Sequence, residues 1–281
     1  MRSILKPVLV LVILFVGVGS MPVDAQDQAR EWQVSIVMRP VASAGTVSAE
    51  DLAATSDIIQ SRLAGLGMTT STVQVKQDQL VVATTVVATD YKDALSDALS
   101  LIDALPQPRL LEFVDLAGYP QLRLQAGDCI LTTEQIGRGL AQMGEGGTPN
   151  QGLCPDDAAP IGVDGTERGA PFTTVMTSAG LSNAVAVNDP SINQWHIRIV
   201  MTESGSAIME AHTAANLGQA LAIVLDGEVI SVPIIAATIS SESTISGDFT
   251  QDEAETLAVQ IRSGVLPTQL EIVSLEISLV E

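Results

Sequence analysis

The dipeptide Asp226-Gly227 lies between two apolar runs, Ala222 to Leu225 and Val229 to Val232 with Ser231 inside it. A twist-matched two-residue turn needs positive φ at both central positions, which glycine adopts freely and aspartate tolerates. The segment is therefore predicted to form an antiparallel hairpin. Pro233 has no backbone donor, so the second strand ends there or runs along a sheet edge. Ile234 to Ile239 offers a further strand. Thr250 and Glu253 have the spacing of a capping box, opening a helix with Ala254, Leu257, Ala258 and Ile261 on one face. Gly264 stops that helix, and Pro267 follows at the usual distance.

The same residues carry a family resemblance. Leu225-Asp226-Gly227, Ile230-Ser231-Val232-Pro233, Ile245-Ser246-Gly247-Asp248-Phe249-Thr250, Glu253-Ala254, Leu257-Ala258 and Arg262-Ser263-Gly264-Val265-Leu266-Pro267 resemble the first extracytoplasmic domain of the SecD subunit of the protein-export machinery. Thr177 to Ala186 is similar to that domain's entry segment, and Glu203-Ser204-Gly205 with Thr213 to one of its helices. Ile59 to Gly67, including Arg62, agrees more loosely. The specific matches cover roughly the C-terminal third. The resemblance marks Asp226, Gly227, Ser231, Pro233, Gly247, Phe249, Glu253, Gly264, Leu266 and Pro267 as structural family positions, with no catalytic residue among them.

Composition narrows the classes that remain. Asp and Glu number 33 against 13 Lys and Arg, a formal charge of −20. Such a field repels phosphate backbones and anionic headgroups, which argues against nucleic-acid binding. Hydrophobic residues make up 46% and aromatics 3%, so the core must be built from Val, Ile, Leu and Ala. At 281 residues the chain can hold two modest domains.

Residues 1–25 read as a secretory signal. Arg2 and Lys6 precede an uncharged apolar core from Val8 to Gly19, and Val23-Asp24-Ala25 supplies small residues for cleavage. The signal is either cleaved after Ala25 or retained as a single N-terminal membrane anchor. Both place the remainder outside the cytoplasm, secreted or at the outer face of the membrane. The two cysteines, Cys129 and Cys154, fit that compartment. As a pair they would close a loop of about 25 residues, a stabilisation on the order of 3 kcal/mol. The alternative is two unrelated free thiols.

A pass along the chain gives an α+β order. Trp32, Val34, Ile36 and Met38 alternate as a strand. Ser48 caps a helix through Leu52, Ile59 and Leu63 that closes at Gly67. Val73 to Val75 and Leu80 to Val87 make two strands around Lys76-Gln77-Asp78. Thr89 or Asp90 opens a second helix ending before Pro106, and Leu110 to Leu116 returns as a strand. This βαββαβ order over 31–117 predicts a ferredoxin-like base subdomain, an antiparallel sheet with helices on one face.

Residues 118–172 are rich in Gly and Pro and read as a loop or linker, with one short helix near Thr133 to Met143. A head subdomain is expected over 173–268. It contains strands at Phe172 to Met176 and Trp195 to Met201, a short helix from Ser178 to Val185, and a longer helix from Ala207 to Leu217. Leu270 to Val280 alternates as a final strand within 269–281, and no apolar run of about 18 residues follows the signal. Two antiparallel subdomains with helices packed on one face result.

Candidate chemistry is sparse. Asp156-Asp157 and Asp164-Gly165 lack the alternating oxygen spacing and terminal Glu of a calcium loop. His196 and His212 have no ligand-like spacing, and both read as structural. No phosphate-cradling glycine loop, CxxC pair or HExxH occurs. The sequence thus assigns no metal, no cofactor and no enzyme activity. The resemblance implies binding of unfolded or exported polypeptides, with Sec translocase subunits as further partners. Family subunits continue from this motif into a bundle of membrane helices. Here the sequence reaches Glu281 first, so a stand-alone form without the proton-driven motor is expected. The alternative is a non-catalytic adaptor docking on translocase or other envelope proteins.

Overall fold

The computed structural model describes residues 29–41, 47–138, 142–143, 149–150, 160–166 and 169–280. The expected signal over 1–25, Cys154 and Asp156-Asp157 lie outside the described residues. The chain forms two compact units, Met1–Pro108 with Leu266–Glu281, and Arg109–Val265.

In the first unit, β1 (Arg30–Pro40), β2 (Thr72–Lys76), β3 (Gln79–Ala88) and β13 (Leu270–Leu279) make one sheet. Their order is β13-β1-β3-β2, and every neighbouring pair is antiparallel. Period-two alternation turns Val34, Ile36, Met38, Leu80, Val82 and Ile272 to one face. Helices α1 (Ala49–Gly65) and α2 (Tyr91–Ala104) cover that face with Leu52, Ile59, Leu63, Ala94, Ala98 and Leu101. Ser48 forms a capping box with Asp51, and Asp90 caps α2 through the Asp93 N–H. Arg62 is fully buried and donates to the carbonyls of Leu105 (2.6 Å), Gln107 (2.6 Å) and Pro108 (3.4 Å). The chain leaving α2 is thereby held against α1.

The second unit holds two further sheets. One has the order β11-β10-β4-β7, from β4 (Leu111–Asp115), β7 (Thr174–Thr177), β10 (Leu221–Leu225) and β11 (Glu228–Ser231). The other has the order β12-β9-β8, from β8 (Leu181–Asp189), β9 (Gln194–Met201) and β12 (Glu242–Phe249). Leu111, Phe113, Ile197, Ile199, Ile223 and Ile245 share a core with Met209 of α4 (Glu203–Ala215) and Leu257 and Ile261 of α5 (Gln251–Ser263). The opposite face of β4 and β10 packs Val114, Ala222 and Val224 against Ile130 and Phe172. Burial on both faces explains why β10 is an unbroken apolar run, and it leaves Glu112 of β4 enclosed.

The α+β class holds, and several local expectations change. Leu110 to Leu116 does not complete the first sheet. The βαββαβ order is completed by β13 from the other end of the sequence, while β4 pairs with β10 and β7. Within the segment expected to be a loop or linker, Ile130 and Phe172 are core residues and Thr132 bridges to Phe172. The helix expected from Thr133 to Met143 is α3 (Thr133–Gly137) only, and β5 (Gln142–Met143) pairs with β6 (Pro149–Asn150). The helix expected over Ser178 to Val185 is a 3-10 turn at Ser178–Gly180 followed by β8. The strand expected at Ile234 to Ile239 is a single bridge, Ala220 to Ile234, and the regular strand is β12.

Candidate functional site

A sheet edge is where a chain with no assigned catalytic set can do chemistry with another backbone, because its outward N–H and C=O groups are unpaired. In the β12-β9-β8 sheet the two edges differ. Ala184 of β8 lies opposite Ile199. Its carbonyl accepts from Arg262 Nη1 at 2.8 Å, and its N–H donates to Asn183 Oδ1 at 2.9 Å. Side chains have taken the groups an incoming strand would need, so that edge is closed at its middle.

The β12 edge is built differently. Met201 N–H donates to Ser241 O at 2.9 Å, and Ser241 leads into the register Ser243 to Ile199 and Ile245 to Ile197. In an antiparallel ladder, hydrogen-bonded and non-bonded pairs alternate. Glu242, Thr244 and Ser246 therefore aim their backbone groups away from β9. Among the described residues no hydrogen bond covers that side of β12. The β11 edge, by contrast, is closed by residues 127–130. Gly127 N–H donates to Val229 O, Val229 N–H to Asp128 O, and Ile130 N–H to Gly227 O, at 2.8–2.9 Å.

Beside the open edge lies a groove of about 390 Å³ lined by Gln125, Gln194, Ile230 to Val232 and Ser246 to Asp248. It sits between the end of β11 and a bulge in β12, where the register jumps from Ser246 opposite His196 to Phe249 opposite Trp195. Gly247 makes the bulge fit, since a Cβ there would lie 2.9 Å from the Phe249 ring. The groove runs between two sheet edges rather than between sheet and helices. Its lining mixes hydroxyl, amide and aliphatic groups, which suits a polypeptide backbone and small side chains.

The family positions fall in three places. Ser231 and Gly247 line the groove. Asp226 and Gly227 form the hairpin turn, with φ of 50° and 85°. Asp226 Oδ1 accepts from Leu110 N–H at 2.8 Å, so the turn also fastens β4. Pro233 O accepts from Leu221 N–H at 3.0 Å. Phe249 packs on the core, and Glu253 completes a capping box with Thr250, whose N–H and hydroxyl hold the carboxyl below its ordinary range. Gly264 ends α5 at φ 92°, while Leu266, buried, and Pro267 belong to the first unit. Cys129 is buried and in a disulfide.

Two histidines and one buried acid also lie on these elements. His212 Nε2 is 3.9 Å from Asp115 Oδ1, and its ring neighbours Asn216. His196 is half-buried, with Nδ1 enclosed and unpartnered. Glu112, missed by the sequence reading, is fully buried on β4. It accepts from Thr132 Oγ1 (2.5 Å), Thr174 Oγ1 (2.7 Å) and Gln135 Nε2 (3.1 Å). Burial raises its carboxyl despite those three donors. No group of three or more metal-ligating side chains occurs among the described residues. No helix among them is long and apolar enough to cross a membrane.

Comparison with known proteins bears on this arrangement. Residues 166–268 match the family model described as SecDF, P1 head subdomain. The protein translocase subunit SecD of Dictyoglomus turgidum is 38% identical over 101 residues, covering 36% of this chain and 25% of that protein. That of Desulfurispirillum indicum is 38% identical over 100 residues, covering 35% and 19%. The chain thus spans about a quarter or less of the SecD relatives it matches. A crystal structure of SecDF in a super-membrane-facing form superposes with a TM-score of 0.59 at 23% identity, covering 92% of this chain and 32% of that one. A second structure, of SecDF as a membrane component that enhances protein export, gives 0.55 at 24% identity, covering 85% and 97%. These two likenesses show the fold. The SecD-family resemblance read from the sequence holds, and it is carried by the P1 head.

Proposed function

We propose that this chain is an extracytoplasmic SecD-like module that assists protein export by binding translocating or unfolded polypeptide along the β12 edge. The single observation behind the reading is that one edge strand of the second unit stays open where two others are closed. Side chains close β8, residues 127–130 close β11, and β12 stays open beside a groove lined by family positions Ser231 and Gly247. Backbone pairing at such an edge accepts many sequences, because the ladder bonds are made by groups every residue carries. The P1 head match and the translocase relatives support the export setting, and Sec subunits are the natural neighbours of such a module. An N-terminal signal, cleaved or kept as an anchor, would deliver it there.

A photocrosslinker at Ser243, within β12, tests this. With a reduced, unfolded secretory protein as probe, the crosslinker traps that chain, and excess of an unrelated unfolded chain competes. A role as adaptor predicts the opposite, capture of one folded translocase subunit and none of the unfolded probe.

A further inference from the structure

We infer that the outward face of the β12-β9-β8 sheet is a recognition site for a single carboxylate. Arg198 and His196 stand two residues apart on β9, on the face opposite the buried Ile197 and Ile199. Arg198 lies opposite Thr244 on one side and Val185 on the other, and His196 opposite Ser246 and Val187. Directly opposite residues bring their side chains within about 5 Å of each other. One guanidinium, one imidazole and two hydroxyls thus share a concavity of about 450 Å³, whose remaining lining is Val187, Asn188, Asp189 and Pro190.

Two observations mark this cluster as waiting for an anion. The side chains of Arg39, Arg62, Arg109, Arg123, Arg138 and Arg262 each have a hydrogen bond or ion pair, and Arg30 has an interaction of its own. The Arg198 side chain has no hydrogen bond or ion pair among the described residues, in a chain where acids outnumber bases 33 to 13. The His196 ring is the second. Its Nδ1 is enclosed without a partner, while Nε2 is not among the enclosed atoms. A proton on Nδ1 would be buried and unpaired, so the tautomer with the proton on Nε2 is favoured, which gives the open side of the ring a donor.

The surroundings set the size of the charge. Asp189 stands at one end of the basic pair and Glu242, opposite Val200, at the other. Asp189 Oδ1 is taken up by the N–H and hydroxyl of Ser191, and its charge remains. A lone carboxylate fits between the flanking acids, whereas a run of acids or a phosphate dianion meets repulsion from both ends and from the net charge of −20. The carboxylate can belong to an Asp or Glu of a bound polypeptide or to a free small acid. Only the first source rests on the capture reading above.

The test is a ¹H–¹⁵N NMR titration of the full chain at about 0.15 M salt, where long-range fields are screened beyond roughly 8 Å. The probes are a doubly capped Ala-Ser-Glu-Ser-Ala peptide, its Gln twin, and acetate. The Glu peptide is expected to shift the amides of 196–198 and 244–246, and the Gln twin not to. R198Q should weaken the response at least about tenfold, the loss of one charge-assisted contact, and D189N should strengthen it. Response to acetate alone, still lost in R198Q, keeps the site and assigns it to free acids, leaving edge capture to stand or fall separately. Equal response to both peptides, or titrations unchanged in R198Q, overturns the inference.

Discussion

Arg262 Nη1 donates to the carbonyl of Ala184 at 2.8 Å, tying the last turn of α5 to the edge strand β8. The bond occupies an acceptor that faces away from β9 and would otherwise recruit another strand. R262A should therefore lower unfolding stability by about 1 kcal/mol, since the contact is charge-assisted but partly solvated. It should also produce concentration-dependent self-association by sedimentation velocity. R262K, which keeps a donor, should remain monomeric wherever R262A associates.

Arg62 and the three carbonyls it meets make a second prediction. A guanidinium with no exposure is stable only while its donors are satisfied, here by Leu105, Gln107 and Pro108. R62K keeps the charge but loses the fork geometry, and should cost about 3 kcal/mol or more in urea denaturation. R62M removes charge and donors together, and should be milder than R62K.

Gly180 and Gly205 touch where α4 begins. A Cβ on Gly205 would lie 2.0 Å from Gly180 O, and backbone atoms cannot move aside as a flexible side chain can. G205A gains roughly 1 kcal/mol of helix propensity. The clash outweighs that gain, and a net loss of about 2 kcal/mol is expected. Thermal unfolding against G218A, where a Cβ meets open space but φ is +79°, separates contact from backbone strain. G218A should be the milder change.

Much of this was legible locally. The Asp226-Gly227 turn, both capping boxes and the alternation of β1, β9 and β13 follow from short-range rules, and the structure has them. What failed was partner choice. Nothing near Leu111–Asp115 says which strand lies beside it, although its burial on both faces marks a sheet interior. Ala184 and Ala186 turn inward on β8, and small inward residues carry a weak period-two signal, so a helix was expected there. β12 has one buried residue, Ile245, amid Ser, Thr and Glu, and the apolar Ile234-Ile235 drew the strand reading instead. The open edge, the groove and the Arg198–His196 pair follow from those unreadable pairings.

Glu112 gives a pH dependence opposite in sign to that of an ion-paired carboxylate. Burial raises its folded-state value above the ordinary 4.5, so the native state holds the proton more tightly than the unfolded chain. Its contribution is fully present below about pH 4.5 and is lost as pH rises through the raised value. Urea unfolding of wild type and E112Q from pH 4 to 7.5 should show E112Q gaining relative to wild type as pH climbs. Parallel curves would remove Glu112 from the account.

The most direct measurement of polypeptide capture is hydrogen exchange at β12, read residue by residue with and without saturating unfolded secretory protein. Glu242, Thr244 and Ser246 have outward amides and should exchange freely alone and slow by at least about tenfold when the chain is bound, with Ala184 on β8 unchanged. Binding that leaves those three amides as fast as before would contradict capture at this edge.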